Sequence, residues 1–261
     1  MKRCWPKKAA TQNYSNYRPP ATGSRTRKIC SVTFPGISEI SYIYRMMTLT
    51  EENYLKALFR ISLEKTAITV KDIAAQLELK MPTVNSMIQK LSEKKLVRYE
   101  KYKAIELTDK GRRQALHILR KHRLTELFLS EVMGMGWEEV HDIAEQIEHI
   151  QSDRFFNRID EMLGYPKFDP HGEPIPDADG KLPVVKAIPL SSGIEGKTYT
   201  LSGVLNHEIS FLKFLDTLQL SIGATITIIT IQPFDKSMSV VLRGQTPTVF
   251  SYTVCQYLLV M

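Results

Sequence analysis

Cysteine is scarce in this chain, and where it stands restricts the fold more than its number does. Of three cysteines, Cys4 and Cys30 fall within the first 45 residues, so Cys255 stands alone in the patterned remainder. An internal disulfide framework is excluded there, and a reducing cytoplasm suits such a chain. No apolar run approaches the roughly 20 residues of a membrane span, and the N-terminal stretch has no apolar centre of the secretory-signal kind. No membrane association is therefore expected. A third lack is local: between Glu138 and Asp153 there is no Lys or Arg, although Glu138, Glu139, Asp142, Glu145, Glu148 and Asp153 all lie there. Carboxylates crowded without a local cation repel one another, and a bound divalent ion would relieve them.

What is present divides by charge. Residues 1–45 hold nine Lys/Arg against one acid, Glu39, and show no helical or strand period. They are expected to be a basic disordered leader, or one that is not made, with Met46 or Met47 as the native start; a basic DNA-contacting arm is the alternative. Residues 46–125 carry 17 basic against 9 acidic side chains, and residues 126–261 carry 9 against 18. A phosphate-facing module joined to a cation-binding module needs that division.

The periodicity predicts a helix from Thr48 to Leu63, capped by Thr50, with Tyr54, Leu55, Leu58 and Ile61 inward. A short helix over Thr69–Leu77 follows, then a turn, then a helix over Pro82–Ser92 whose first position suits proline. That helix buries Val84, Met87, Ile88 and Leu91 and turns Thr83, Asn85, Ser86, Gln89 and Lys90 outward, which is a helix-turn-helix pattern. Leu96–Tyr99 and Ala104–Thr108 alternate about a charged turn and form a two-stranded wing, on which Arg98, Lys101 and Lys103 are placed to touch phosphate. A long helix runs from Thr108 or Asp109 to Met133, where a Gly134/Gly136 break ends it. Residues 164–193, rich in Pro and Gly, are a structured connector leading into a linker at 181–196. Beyond it, strands over Lys197–Leu205, Thr225–Ile231 and Ser237–Leu242, with short helices near Ser210–Leu218 and Tyr252–Leu258, favour a small barrel over 197–261. The fold class is mainly α with small β, and the domains are set at 46–110, 111–180 and 197–261.

The residues that carry chemistry lie behind the long helix. At helical spacing His141, Glu145, Glu148 and His149 fall within an arc of about 100°. His122 and Glu126, at i and i+4, share a face one helix upstream. Imidazole and carboxylate donors in that pattern are metal-ligand types. The plain alternative is an acidic solvated face over an apolar stripe of Ile143, Ile147 and Ile150. A metal-dependent hydrolase is a further reading, but the chain has no H-E-x-x-H arrangement and no evident general base.

These residues, taken together, give the chain a family likeness. Thr50-Glu-Glu-Asn-Tyr-Leu, the Pro82-Thr-Val segment, Arg120-Lys-His-Arg-Leu-Thr-Glu126, Val140-His-Asp, Glu148-His149 and Pro170-His-Gly-Glu-Pro-Ile-Pro176 resemble the diphtheria toxin repressor family, and within it the manganese transport regulators, over about residues 48–258. The resemblance implies a cytoplasmic homodimer with a winged helix-turn-helix, a helical metal-binding and dimerisation domain, and a C-terminal barrel similar to SH3 and FeoA domains. It implies a principal metal site of Glu145, Glu148 and His149 with Asn53 of the first helix, and a second site involving His122, Glu126, His141 and, from the barrel domain, Glu208. Where the manganese regulators have a Glu, this chain has Lys56, which cannot ligate while protonated. His117, His171 and His207 lack a helically spaced acidic partner and are read as non-ligands.

Glu145 stands where the iron-type regulators have a cysteine, and a hard oxygen donor there points to Mn²⁺ before Fe²⁺. For DNA, the helix geometry and the resemblance agree on Lys80, Pro82, Thr83, Asn85 and Ser86 at the start of the recognition helix, with Lys90 and the wing cations beside them. The expected function is a repressor of metal-uptake genes, bound as a dimer to a palindromic operator in double-stranded DNA. A metal-independent winged-helix repressor is the alternative.

Overall fold

Thr48 holds an extended backbone and accepts the Glu51 N–H, while Glu51 returns a carboxylate to the Thr48 N–H at 2.9 Å. This capping box moves the cap from Thr50 to Thr48, because the reciprocal pair needs a Glu three residues on. The computed structural model describes residues 47–101, 103–243 and 246–261. The basic leader and the reading of its start lie outside the described residues.

Helices α1 (Leu49–Glu64), α2 (Val70–Gln76) and α3 (Met81–Glu93) and the wing strands β1 (Val97–Arg98) and β2 (Glu106–Leu107) form the head. Its core gathers Tyr54, Leu58, Ile73, Val84, Ile88, Leu91 and Ile105, all essentially inaccessible to solvent. The same cluster takes in Ala115, Ile118 and Leu119 from α4 (Asp109–Glu131), so the head has no core separate from that helix. Where the wing meets the start of α4, only glycine fits: a Cβ at Gly111 would lie 1.9 Å from the Leu96 carbonyl oxygen.

With 23 residues, α4 is about 35 Å long and serves as the spine. Beyond its middle, α5 (Val140–Ile147) and α6 (Asp153–Met162) pack on it, with Leu124, Phe156, Ile159 and Ile175 making a small second core. The connector is held to α4 by two arginines. Arg120 donates to Asp160 at 2.6 Å and to the Pro176 carbonyl at 2.9 Å; Arg123 donates to Glu173 at 2.7 Å and to the Pro174 carbonyl at 2.5 Å. Irregular, proline-rich backbone is thus fixed by planar donors that satisfy its carbonyls.

The C-terminal domain is an antiparallel sheet in the order β3-β8-β4-β5-β6-β7, comprising β3 (Ile188–Pro189), β4 (Thr198–Val204), β5 (Thr225–Ile231), β6 (Met238–Leu242), β7 (Thr248–Phe250) and β8 (Leu258–Val260). Helices α7 (Ile209–Thr217) and α8 (Tyr252–Tyr257) accompany it. One core joins Leu190 beside β3 to Phe250 of β7, at opposite ends of that order, as a sheet curled toward a barrel requires. Residues 188–192, expected in the linker, therefore belong to this domain: Ile188 pairs with Val260 and Leu190 is fully buried.

The domain docks on the connector directly. The Val204 N–H donates to the His171 carbonyl at 2.9 Å, and Gly172, with φ of +83°, lies so close to β4 that a Cβ there would be 2.0 Å from the Ser202 carbonyl oxygen. Trp137 adds a second link, its indole N–H donating to Asp216 of α7 at 3.0 Å.

Candidate metal centre and nucleic-acid interface

The acidic helix does not follow the plain amphipathic alternative of a solvated acidic face over an apolar stripe. Val140, Ala144 and Glu148 are its buried positions, while Ile143 and Ile147 are half-buried and Ile150 is 42% exposed. The carboxylate face points inward because cations on other elements meet it there. It is also short: α5 ends at Ile147, leaving Glu148 and His149 just past its last turn.

The first of those cations is Lys56, on α1 of the head. Its ammonium donates to Glu145 at 2.5 Å and to both oxygens of Glu148 at 2.7 and 2.9 Å, with Lys56 6% and Glu148 0% exposed. The second is His122 on α4, with Nδ1 2.7 Å from Glu148 and Nε2 3.0 Å from Glu126, the latter at an angle that makes no hydrogen bond. Burial works against the charged imidazolium, but Glu126 and Glu148 outweigh it and hold the His122 pKa up to about 9. Burial likewise opposes ionised Glu145, and the Lys56 ammonium overcomes it, keeping that carboxyl below its ordinary value. Glu126 is held well below its own by His122 and His141 despite its burial.

Two groups of donor atoms converge here. His122, His141 and Glu145 offer ligand atoms all within 4.8 Å of one another, and so do Glu126, Asp169 and His171. Glu126 stands between them, its Oε1 3.1 Å from His141 Nδ1 and its Oε2 3.9 Å from His171 Nδ1.

Of the residues expected at a metal site, the structure brings together His122, Glu126, His141, Glu145 and Glu148. His149 lies beside Glu148 but hydrogen-bonds to Glu52 of α1 at 2.5 Å. Asn53 Oδ1 is buried and makes no hydrogen bond. Glu208 is exposed and outside both donor groups; its neighbour His207 faces them instead, stacked on His171 with ring centroids 4.6 Å apart. The non-ligand reading of His171 and His207 rested on helical spacing alone, and acidic neighbours for them come from another element. Asp169 and Glu52, which the sequence did not single out, also stand at the cluster, and no periodic signal links them to α4 or α5.

The fit of a cation differs between the two halves of the cluster. Around His122, Glu126, His141 and Glu145, buried donors include His122 Nε2, which lacks a hydrogen-bond partner, so a divalent ion suits the chemistry. The set of Glu145, Glu148 and His149 with Asn53 does not suit one while Lys56 is charged, because an ammonium already spans Glu145 and Glu148.

On the head, Lys80, Pro82, Thr83, Ser86 and Lys90 are exposed at and along α3. The Asn85 Oδ1 accepts the Tyr99 hydroxyl at 2.6 Å, which orients the amide. Arg98, Lys101 and Lys103 are exposed on the wing; Arg98 lies 3.6 Å from Glu106, and Lys103 pairs with Glu100.

The sequence pattern described as the iron dependent repressor N-terminal DNA binding domain matches residues 46–105, and that of the metal binding and dimerisation domain matches residues 108–177. A diphtheria toxin repressor of Corynebacterium glutamicum is 30% identical over 193 residues, 70% of this chain and 85% of that protein. The chain belongs to the iron-dependent repressor family. Against the iron-dependent repressor IdeR of Mycobacterium leprae, identity is 37% over 127 residues, 49% of this family member and 55% of the relative, so the match spans about half of that relative's length. A solved manganese-dependent transcriptional repressor in complex with manganese shares the fold with a TM-score of 0.74 at 33% identity, covering 80% of this chain and 98% of that one. Among the described residues no helix is long and apolar enough to cross a membrane.

Proposed function

We propose that this family member is a DNA-binding transcriptional repressor activated by a divalent cation, working as a cytoplasmic homodimer at a palindromic operator of metal-uptake genes. Mn²⁺ is favoured over Fe²⁺. The observation that carries this reading is that the donor cluster lies against the head: Lys56 and Glu52 of α1 reach Glu145, Glu148 and His149, while α4 supplies both His122 and part of the head's core. A change in charge at the cluster is therefore felt by α1, which shares one core with α3, the helix of the reading surface.

His122, Glu126, His141 and Glu145 would hold the ion, and when bound it supplies fixed positive charge among carboxylates that Lys56 and His122 now face. His122 keeps its Nδ1 proton on Glu148 and gives up the one on Nε2, the usual division of labour in a ligating imidazole. Oxygen donors and imidazoles without a thiolate suit Mn²⁺; Cys255 is buried in the C-terminal core, away from the cluster. The half-exposed Ile143 and Ile147, with Ile150, Phe155 and Met162 exposed beside them, offer an apolar face to a second copy. No catalytic role is assigned to these residues.

Fluorescence anisotropy on DNA carrying the promoter of a metal-uptake gene tests the reading. Wild type should bind roughly 5–150-fold more tightly with Mn²⁺ than with a chelator, and Glu126→Gln and His141→Gln should lose that difference. Equal binding in chelator and in Mn²⁺ would instead support a metal-independent repressor.

A further inference from the structure

We propose that the Lys56 ammonium takes the place of an ion at the Glu145, Glu148 and His149 set, and that with Glu52 it forms a clasp holding the head on the spine when no metal is bound. The inference rests on the repressor reading above for its effect on DNA, and adds to it a residue that sets how much of the response is left to metal.

Glu52 and Lys56 stand one helical turn apart on α1, so both side chains leave the same face. Both are buried, at 1% and 6% exposure, and both end on the stretch that runs from α5 to Gln151. Each meets partners suited to its own charge. Lys56 Nζ lies 2.5 Å from Glu145 Oε1 and 2.7 and 2.9 Å from the two oxygens of Glu148. An ammonium has three hydrogens and no lone pair, so three such contacts use it in full. Glu52 accepts His149 Nδ1 on one oxygen at 2.5 Å and the Gln151 amide on the other at 3.0 Å.

The ammonium serves the local charge as an ion would. Glu145 and Glu148 converge on one nitrogen, and two carboxylates brought that close need a cation or a proton between them. Here the cation comes from the head, 89 and 92 residues away in sequence, so neutralising the pair also ties α1 to α5 and the residue after it. A buried ion pair adds little net stability, yet parting it strands a charge, which is how such a pair selects one arrangement of two elements. Glu148, with no exposed surface, is the charge that would be stranded.

Donors remain for an ion once the ammonium is removed. Asn53, next to Glu52 on α1, has a buried Oδ1 with no hydrogen-bond partner, and His149 Nε2 lies 3.6 Å from Glu148 Oε1. The rival arrangement is that an arriving ion displaces the ammonium from its carboxylates. Wild type would then carry as many ions as a chain without Lys56.

Elemental analysis of the full chain, loaded with Mn²⁺ and dialysed, together with anisotropy on the promoter DNA in chelator, tests the clasp. Lys56→Met should hold one Mn²⁺ more per chain than wild type. In chelator it should bind DNA at least about fivefold more weakly than wild type, and in excess Mn²⁺ regain wild-type affinity. Lys56→Arg, which keeps the charge, should keep the wild-type ion count. Equal counts in wild type and Lys56→Met, with Mn²⁺-dependent DNA binding intact, overturn the proposal and leave the metal reading standing. So does a wild type with no measurable DNA affinity in chelator, or one that Lys56→Met matches there. No Mn²⁺ on either protein overturns the metal reading and the ion substitution together. Should Lys56→Met lack helical signal by circular dichroism in chelator, excess Mn²⁺ should restore it, and failure to do so overturns the proposal.

Discussion

Replacing Lys56 by methionine removes a charge while keeping most of the side-chain volume, and tests whether this chain carries its own cation where a metal could sit. At 2.7 Å and an effective dielectric of about 20, each ammonium–carboxylate pair attracts by about 6 kcal/mol before desolvation is counted. Desolvation offsets much of that, yet deleting one partner of a buried pair typically costs about 3–5 kcal/mol, since the other charge stays behind. Glu148 retains His122 at 2.7 Å as a counter-charge, which places Lys56→Met near the lower end, about 3 kcal/mol. Urea unfolding in chelator should show that loss. In Mn²⁺ the variant should recover more than wild type, because the freed carboxylates take an ion, worth about 2.7 kcal/mol at a hundredfold excess over Kd. If Lys56→Met in chelator lies within about 0.5 kcal/mol of wild type, or Mn²⁺ stabilises both equally, the resident-cation argument fails.

Asn85→Ala should cost about 1–3 kcal/mol at the operator and relax preference at one base pair, as read by anisotropy on single-position operator variants; a uniform loss across all sequences would contradict base reading. Gly172→Ala combines a left-handed backbone with a Cβ 2.0 Å from the Ser202 carbonyl, so it should undock the C-terminal domain at a cost above about 2 kcal/mol. Limited trypsin digestion should then release that domain by cleavage at the exposed Lys181 and Lys186, and an unchanged digest would refute the docking role. His117 and His207 are both lowered from 6.5 to about 4, chiefly by burial. The unfolded chain takes up protons that the folded one refuses, so in chelator stability should fall from about pH 6.5 to about pH 4, and His207→Asn should flatten the slope. A slope unchanged in that variant would remove His207 from the account.

Periodicity was enough for the head and the spine. Tyr54, Leu58 and Ile61 on α1, Val84 and Ile88 on α3, and the alternation of β5 and β6 all announce which face is buried. It left two readings open on α5, a ligand face of His141, Glu145, Glu148 and His149 or a solvated acidic face over Ile143 and Ile147. Charge neutralisation decides that orientation, and its agent, Lys56, lies 89 residues from Glu145 in sequence. Helix α6 was not anticipated, because only Phe156 and Ile159 of its ten residues are apolar and buried. The Asp169 and His171 donors follow no period at all. They are placed by backbone N–H groups and by one carbonyl of Trp137, which no spacing rule reports.

The ammonium of Lys56 has an evolutionary reading as well. Lysine and glutamate codons differ by a single base, so a descendant could exchange the resident cation for another carboxylate in one mutational step. The number of ions such a regulator counts, and with it the concentration at which it responds, can then drift through α1 of the reading head while every histidine and carboxylate of the ligand set stays in place.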